Sequence, residues 1–175
     1  RANQVALVWE PNDPSDEARH ITYQELHDQT CRVANMLKKL GVKKGDRVCI
    51  YMPMVPELTY ATLACARIGA VHSIVFAGFS ARSLVDRIND AECNLVITAD
   101  GSYRGNKTID LKGIVDEALV DCPTIKNTIV LERVKSNPTM QPGRDLWWHE
   151  EIKNMEPSCP AETMDAEDLL FILYT

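Results

Sequence analysis

Arg104 and Lys107 are two cations separated only by Gly105 and Asn106. Cations so spaced on a glycine-containing loop can converge on one anion. An Arg fork meets two phosphate oxygens at once, and a Lys ammonium adds a compact point charge. The stretch follows an apolar strand pattern at residues 95–98 and the turn signal Asp100-Gly101. It therefore belongs at the carboxyl end of a strand, where open α/β sheets collect their ligands. From these residues alone, an ordinary solvated basic loop is the competing description. Phe76-Ala77-Gly78 is the second candidate, between a strand and the N-cap signal at Ser80. Backbone N–H groups can point outward at such a junction. A strand-end Phe in the core followed by a turn glycine fits the same residues equally well.

Other reactive residue types lack productive company. The six cysteines contain no C-x-x-C pair, and most sit inside apolar patterns. They read as buried reduced thiols of a cytoplasmic protein. The four histidines are scattered. His72 precedes an apolar run and reads as a hydrogen-bonded core histidine. His149 reads as part of a packing cluster with Trp147 and Trp148. Arg47 and Arg67 are expected in structural ion pairs, and Lys43-Lys44 in a solvated turn. Asp86, Arg87 and Asp90 read as a solvated helix face, and so do Asp116, Glu117 and Asp121. No nucleophile–base pair and no metal-ligand spacing stands out, so no catalytic or metal-binding residue is expected within the segment.

The elements that must position these residues alternate between strand and helix. Strands are expected at residues 5–9, 47–52, 71–76, 95–98 and 128–131, with residues 10–19 as a polar loop. Thr22 and Glu25 form a capping box, flanked by Ile21 and Leu26 as a hydrophobic staple. Tyr23, Leu26, Thr30, Val33, Ala34, Leu37 and Leu40 then share one helical face, and Gly41 stops the helix. Residues 57–68 form a nearly all-apolar helix, expected to be buried on more than one side. Further helices are expected from Ser80, over residues 111–119, and over residues 147–155. Fully apolar strands between helices predict an α/β fold with a mostly parallel sheet covered on both faces. Residues 169–175 run apolar to the end and read as a buried strand that should lead into a crossover. Together with Arg1 in place of an initiator Met, this predicts a piece of a longer enzyme.

The totals exclude some classes. A net charge of −6 argues against nucleic acid as a partner. No stretch approaches the ~20 apolar residues of a membrane span. The chain length suits one domain with a real core.

Several stretches together resemble the acyl-adenylate-forming ligases, and among them the AMP-forming acetyl-CoA synthetases. They are ITYQEL at 21–26, GDRV at 45–48, YMPM at 51–54 and ACARIGAVHSIVFAGFS at 64–80. RIND at 87–90, YRG at 103–105, DLWWH at 145–149 and FILYT at 171–175 complete them. The resemblance spans nearly the whole chain. The first two occur throughout the superfamily. Residues 72–80 and the Trp147-Trp148-His149 triplet are more particular to acetyl-CoA synthetases and short-chain relatives.

This resemblance implies that residues 1–175 are an incomplete N-terminal portion of an adenylation domain, ending just before a phosphate-binding loop. The implied reaction activates acetate with ATP and Mg to acetyl-AMP and then forms the thioester with coenzyme A. ATP, Mg and acyl sites would lie in the remainder of the same polypeptide. Arg104 and Lys107 carry over as contacts to the 3′-phosphate of coenzyme A, and Gly105 as a point of close backbone approach. Asn106 stands where the family more often has Gly, which makes a positive φ there harder to meet. Phe76 and Gly78 carry over as the surface against the adenine. A propionate or other short-chain acyl-CoA synthetase is the alternative within enzymes. A non-catalytic phosphoadenosine-binding α/β module is the alternative outside them.

Overall fold

The computed structural model describes residues 1–174, and local chemistry starts its elements. Strand β1 (Val5–Trp9) pairs antiparallel with β2 (Arg19–Thr22), a strand hidden from sequence by the polar residues before it. Thr22 then caps α1 (Tyr23–Lys39). The Glu25 amide donates to the Thr22 hydroxyl at 3.2 Å, and the Thr22 amide donates to the Glu25 carboxylate at 2.8 Å. Such a reciprocal cap is worth about 1 kcal/mol. At the other end Gly41 takes φ +87°. Its N–H donates to the Lys38 carbonyl and that of Val42 to the Leu37 carbonyl, closing a Schellman motif.

Alternation then gives β3 (Arg47–Tyr51), α2 (Pro56–Arg67), β4 (Val71–Ile74), α3 (Ala81–Asp90) and β5 (Leu95–Ala99). Two short strands follow, β6 (Ser102–Arg104) and β7 (Lys107–Ile109), before α4 (Leu111–Leu119) and β8 (Asn127–Leu131). The rest is β9 (Asp145–Trp147), α5 (Trp148–Ile152) and β10 (Phe171–Ile172). One six-stranded sheet runs in the order β10-β4-β3-β5-β8-β9, with every neighbouring pair parallel.

The expected α/β sheet with two covered faces is present, and the burial of its strands shows why β3 and β5 are largely apolar. Val48, Ile50, Leu95 and Ile97 pack into one layer with residues of α1, α2 and α5. Cys49, Tyr51 and Val96 point the other way, into a layer with α3 and α4. Successive residues alternate faces, so burial of both faces leaves little room for polar side chains, and the buried Thr98 hydroxyl is satisfied by donating to the Tyr51 carbonyl at 2.9 Å.

The chain leaves β3 in one direction to reach β4, then returns past it to β5. Such a reversal is a topological switch point, and it opens a crevice between the carboxyl ends of β3 and β5.

Two expectations are corrected. Helix α2 buries Tyr60, Ala61, Ala64 and Cys65 against one core but leaves Leu63 39 % exposed, so it is not enclosed on several sides. The apolar stretch at 169–175 is not a buried strand. Only Phe171 and Ile172 pair, on one side, with β4 at the sheet edge. Phe171 is consequently 52 % exposed. Thr175, the last residue of that expected strand, lies outside the described residues. Among the described residues, no helix is long and apolar enough to cross a membrane.

Candidate functional site

Both candidate groups lie beside the switch point. Arg104 and Lys107 leave from β5, and Phe76 and Gly78 follow β4, with β3 between the two strands. The strand spacing separates the parent strands by roughly 10 Å.

The stretch expected as a loop is a β-hairpin. Ser102, Tyr103 and Arg104 pair with Ile109, Thr108 and Lys107. Gly105 takes φ +58°, while Asn106 is not among the residues of positive φ. This is the pattern of a type II′ turn, whose twist matches its strands. The Gly-to-Asn departure at Asn106 is therefore harmless, because the left-handed position falls on Gly105. Residues directly opposite share a face, so Arg104 and Lys107 project together, roughly 5 Å apart at Cβ. Both are exposed. Among the described residues, neither has a carboxylate within ion-pair distance. Like charges so placed repel unless an anion lies between them.

Asp100 anchors this hairpin, a role its reading as a simple turn residue missed. The residue is fully buried. Its Oδ1 accepts from the amides of Gly101, Arg133 and Val134 at 2.8, 2.7 and 3.0 Å. Its Oδ2 accepts from the Ser136 amide at 3.0 Å. One carboxylate thus ties the start of the hairpin to the loop after β8, and four donors satisfy a charge that burial would otherwise penalise. Gly101 must stay small: a Cβ there would lie 2.6 Å from Val134 and 2.9 Å from the Ile109 carbonyl. The Arg133 guanidinium, held by the same loop, stacks 5.1 Å from both the Trp9 and the Tyr103 ring centres. The hairpin therefore has a braced base and an open tip.

The second group is equally open. Phe76 is 67 % exposed, so it is not a strand-end residue of the core. Its ring meets Phe79 edge-on at 5.8 Å. Gly78 lies under that ring, and a Cβ there would come within 2.5 Å of it. Tyr51, fully buried at the end of β3, donates its hydroxyl to the Phe79 carbonyl at 2.7 Å and fixes the turn from below. The structure sets both groups on one end of the sheet without bringing them into contact.

Several side readings change. Lys43 and Lys44 are exposed at a turn as expected, and Lys44 also pairs with Asp168 at 2.8 Å. Arg47 does form its expected pair, with Glu92 at 2.7 Å. Arg67 forms none among the described residues and donates instead to the Cys159 carbonyl. His72 is buried, yet among the described residues its Nδ1 lacks the expected hydrogen bond. Trp148 is buried, whereas the His149 side chain is 53 % exposed and only flanks Trp147. Asp116 is not on a solvated face. It joins Lys112, Arg144 and Asp145 in a partly buried ion network. Arg87 leaves the solvated face as well and lies between two aromatic rings. Sequence did not reveal these roles of Lys112, Arg87 and Asp100, because each also needs a partner far along the chain: Asp145, Tyr174 and the 133–136 loop. Among the described residues, no group of three or more His, Cys, Asp or Glu gathers as metal ligands.

Comparison with known proteins agrees with this geometry. The chain is 59 % identical over 175 residues to acetyl-coenzyme A synthetase 2 of Pseudomonas aeruginosa, which matches all of this chain and 27 % of that protein. Acetyl-coenzyme A synthetase of Bdellovibrio bacteriovorus is 55 % identical over the same span, again 27 % of its length. Among solved structures, acetoacetyl-CoA synthetase from Streptomyces lividans superposes with a TM-score of 0.89 at 30 % identity, covering all of this chain and 26 % of that one. The chain thus spans about a quarter of the length of these relatives. The family model described as AMP-binding enzyme matches residues 1–175, and with a parallel sheet open at its switch point the chain belongs to that family.

Proposed function

We propose that this segment is an N-terminal portion of the adenylation domain of an AMP-forming acetate–CoA ligase and that it supplies part of the coenzyme A nucleotide site. In the reaction envisaged, the acetate carboxylate attacks the α-phosphorus of MgATP, giving acetyl-adenylate and pyrophosphate. The CoA thiol then displaces AMP and forms the thioester. The electrostatic stabilisation of the phosphoryl step would come from the remainder of the polypeptide. Magnesium would enter on the nucleotide, outside this segment. Within the segment, Arg104 and Lys107 would hold the 3′-phosphate, with the Gly105 and Asn106 turn allowing close approach. Phe76 and Gly78 would face the adenine. The names of the 55–59 % identical relatives favour acetate over propionate. Six buried, unbonded cysteines suit the cytoplasm.

The observation that carries this reading is the unneutralised cross-strand pair of Arg104 and Lys107 beside the switch point. A nucleotide offers a phosphate and a flat base, and the segment offers two exposed cations and an exposed ring. The test uses the full-length polypeptide containing this segment. Arg104→Ala should raise the apparent KM for CoA by about tenfold or more, the scale of a lost charged hydrogen bond. Acetate-dependent ATP–pyrophosphate exchange should fall far less. Comparable losses in both half-reactions would move Arg104 away from the coenzyme A site.

A further inference from the structure

Arg87 is the residue whose surroundings the proposed chemistry leaves unexplained. Its guanidinium carbon lies 4.9 Å from the centre of the Phe79 ring and 5.3 Å from that of Tyr174. A cation gains from each aromatic ring it approaches at such distances. Its Nη1 donates to the Ser83 carbonyl at 2.9 Å, which fixes the fork to α3. On one side Phe79 carries the contact on to Phe76, edge to face at 5.8 Å. On the other, the Tyr174 hydroxyl donates to Asp90 at 2.6 Å. A continuous chain of contacts therefore runs from Asp90 through Tyr174, Arg87 and Phe79 to the exposed Phe76 ring.

We propose that Arg87 is a positioning residue for the adenine surface: by clamping Phe79 it holds the Phe76 ring in place before a nucleotide arrives. The inference rests on the reading of Phe76 and Gly78 as the adenine site. An exposed ring at a tight turn has rotamers to lose on binding, and one already held loses fewer. Phe76 has Phe79 as its aromatic neighbour, so its order depends on what holds Phe79. Arg87 touches no ligand itself and works through that ring.

The test compares CoA with pantetheine, which keeps the thiol and lacks the adenosine, in the full-length polypeptide. Arg87→Gln should raise the KM for CoA about three- to tenfold, with far less change for pantetheine and for ATP–pyrophosphate exchange. Arg87→Lys should recover part of the loss, since it keeps the charge but not the plane. Phe79→Leu removes the clamped ring while keeping apolar volume, and should show the same CoA-selective loss even if Arg87→Gln folds poorly. Equal losses on CoA and pantetheine would overturn the positioning role. Phe76→Ala run alongside separates the two readings. CoA selectivity in Phe76→Ala but in neither the Arg87 nor the Phe79 variant overturns the inference and keeps the adenine site. No selectivity in any of them overturns both.

Discussion

His72 shows what a single side chain contributes when its surroundings are uneven. It is 7 % exposed, stacks on Phe171 at 5.7 Å, and its Nδ1 finds no partner among the described residues. Burial holds its pKa below the ordinary value of 6.5, because the charged ring would lose water and gain nothing. The unfolded chain therefore binds a proton that the folded chain resists. The contribution is fully present above pH 6.5 and is lost as the pH falls from there through the lower folded value. Thermal midpoints of the chain at pH 7.5 and 5.5 should differ, and His72→Phe should shrink that difference. An unchanged difference in the variant would assign the pH dependence to other groups. The candidate site was legible at this scale only in part. Residue type marked Arg104, Lys107, Phe76 and Gly78, but the pairing of the two cations needed a hairpin built from three-residue strands, too short to show a period.

At the scale of elements, α4 and β9 are joined by charges rather than by an apolar seam. Lys112, fully buried, reaches Asp116 at 2.7 Å, Asp145 at 2.8 Å and the Thr139 carbonyl at 3.1 Å. Arg144 completes the network by binding both carboxylates. Burial works against ionisation of Asp145, but hydrogen bonds from Arg144, Lys112 and the Gln141 amide outweigh it and hold its pKa below 3.8. Its contribution is thus present above that value and is lost as the pH falls through the lower folded one. Lys112→Met would leave Asp145 buried with one counter-charge fewer. We expect a loss of about 3 kcal/mol in denaturant unfolding, and Lys112→Met with Asp145→Asn should recover part of it. A variant as stable as the parent would show that Arg144 alone suffices. Sequence placed Asp116 on a solvated face, since its pairing with Arg144, 28 positions on, is not a local property. The main strands and helices were legible for the opposite reason: their apolar periods and caps are local. Strands β2, β6, β7 and β9 were hidden because none carries an apolar run longer than two residues, and β10 was legible as a strand but not as an edge.

At the largest scale a six-stranded sheet lies between two helical layers, with two small hairpins beside it, and the thiols report on both layers. Cys31, Cys65 and Cys159 lie in the layer with α1, α2 and α5. Cys49, Cys93 and Cys122 lie in the layer with α3 and α4. All six are buried. Burial raises the pKa of Cys65 to about 12, and that of Cys93 to about 12 against a small opposing pull from Arg47. A thiol reagent therefore meets neither exposed sulfur nor ready thiolate in the folded chain. The strands between the layers send alternate side chains to each, so neither layer can open without stripping one face of the shared sheet. Labelling with an aromatic disulfide reagent across a urea series should expose all six thiols in one transition, coincident with the loss of far-UV circular dichroism. Two steps of three thiols, mapped by mass spectrometry to the two sets, would show that each layer opens by itself and that the sheet does not couple them.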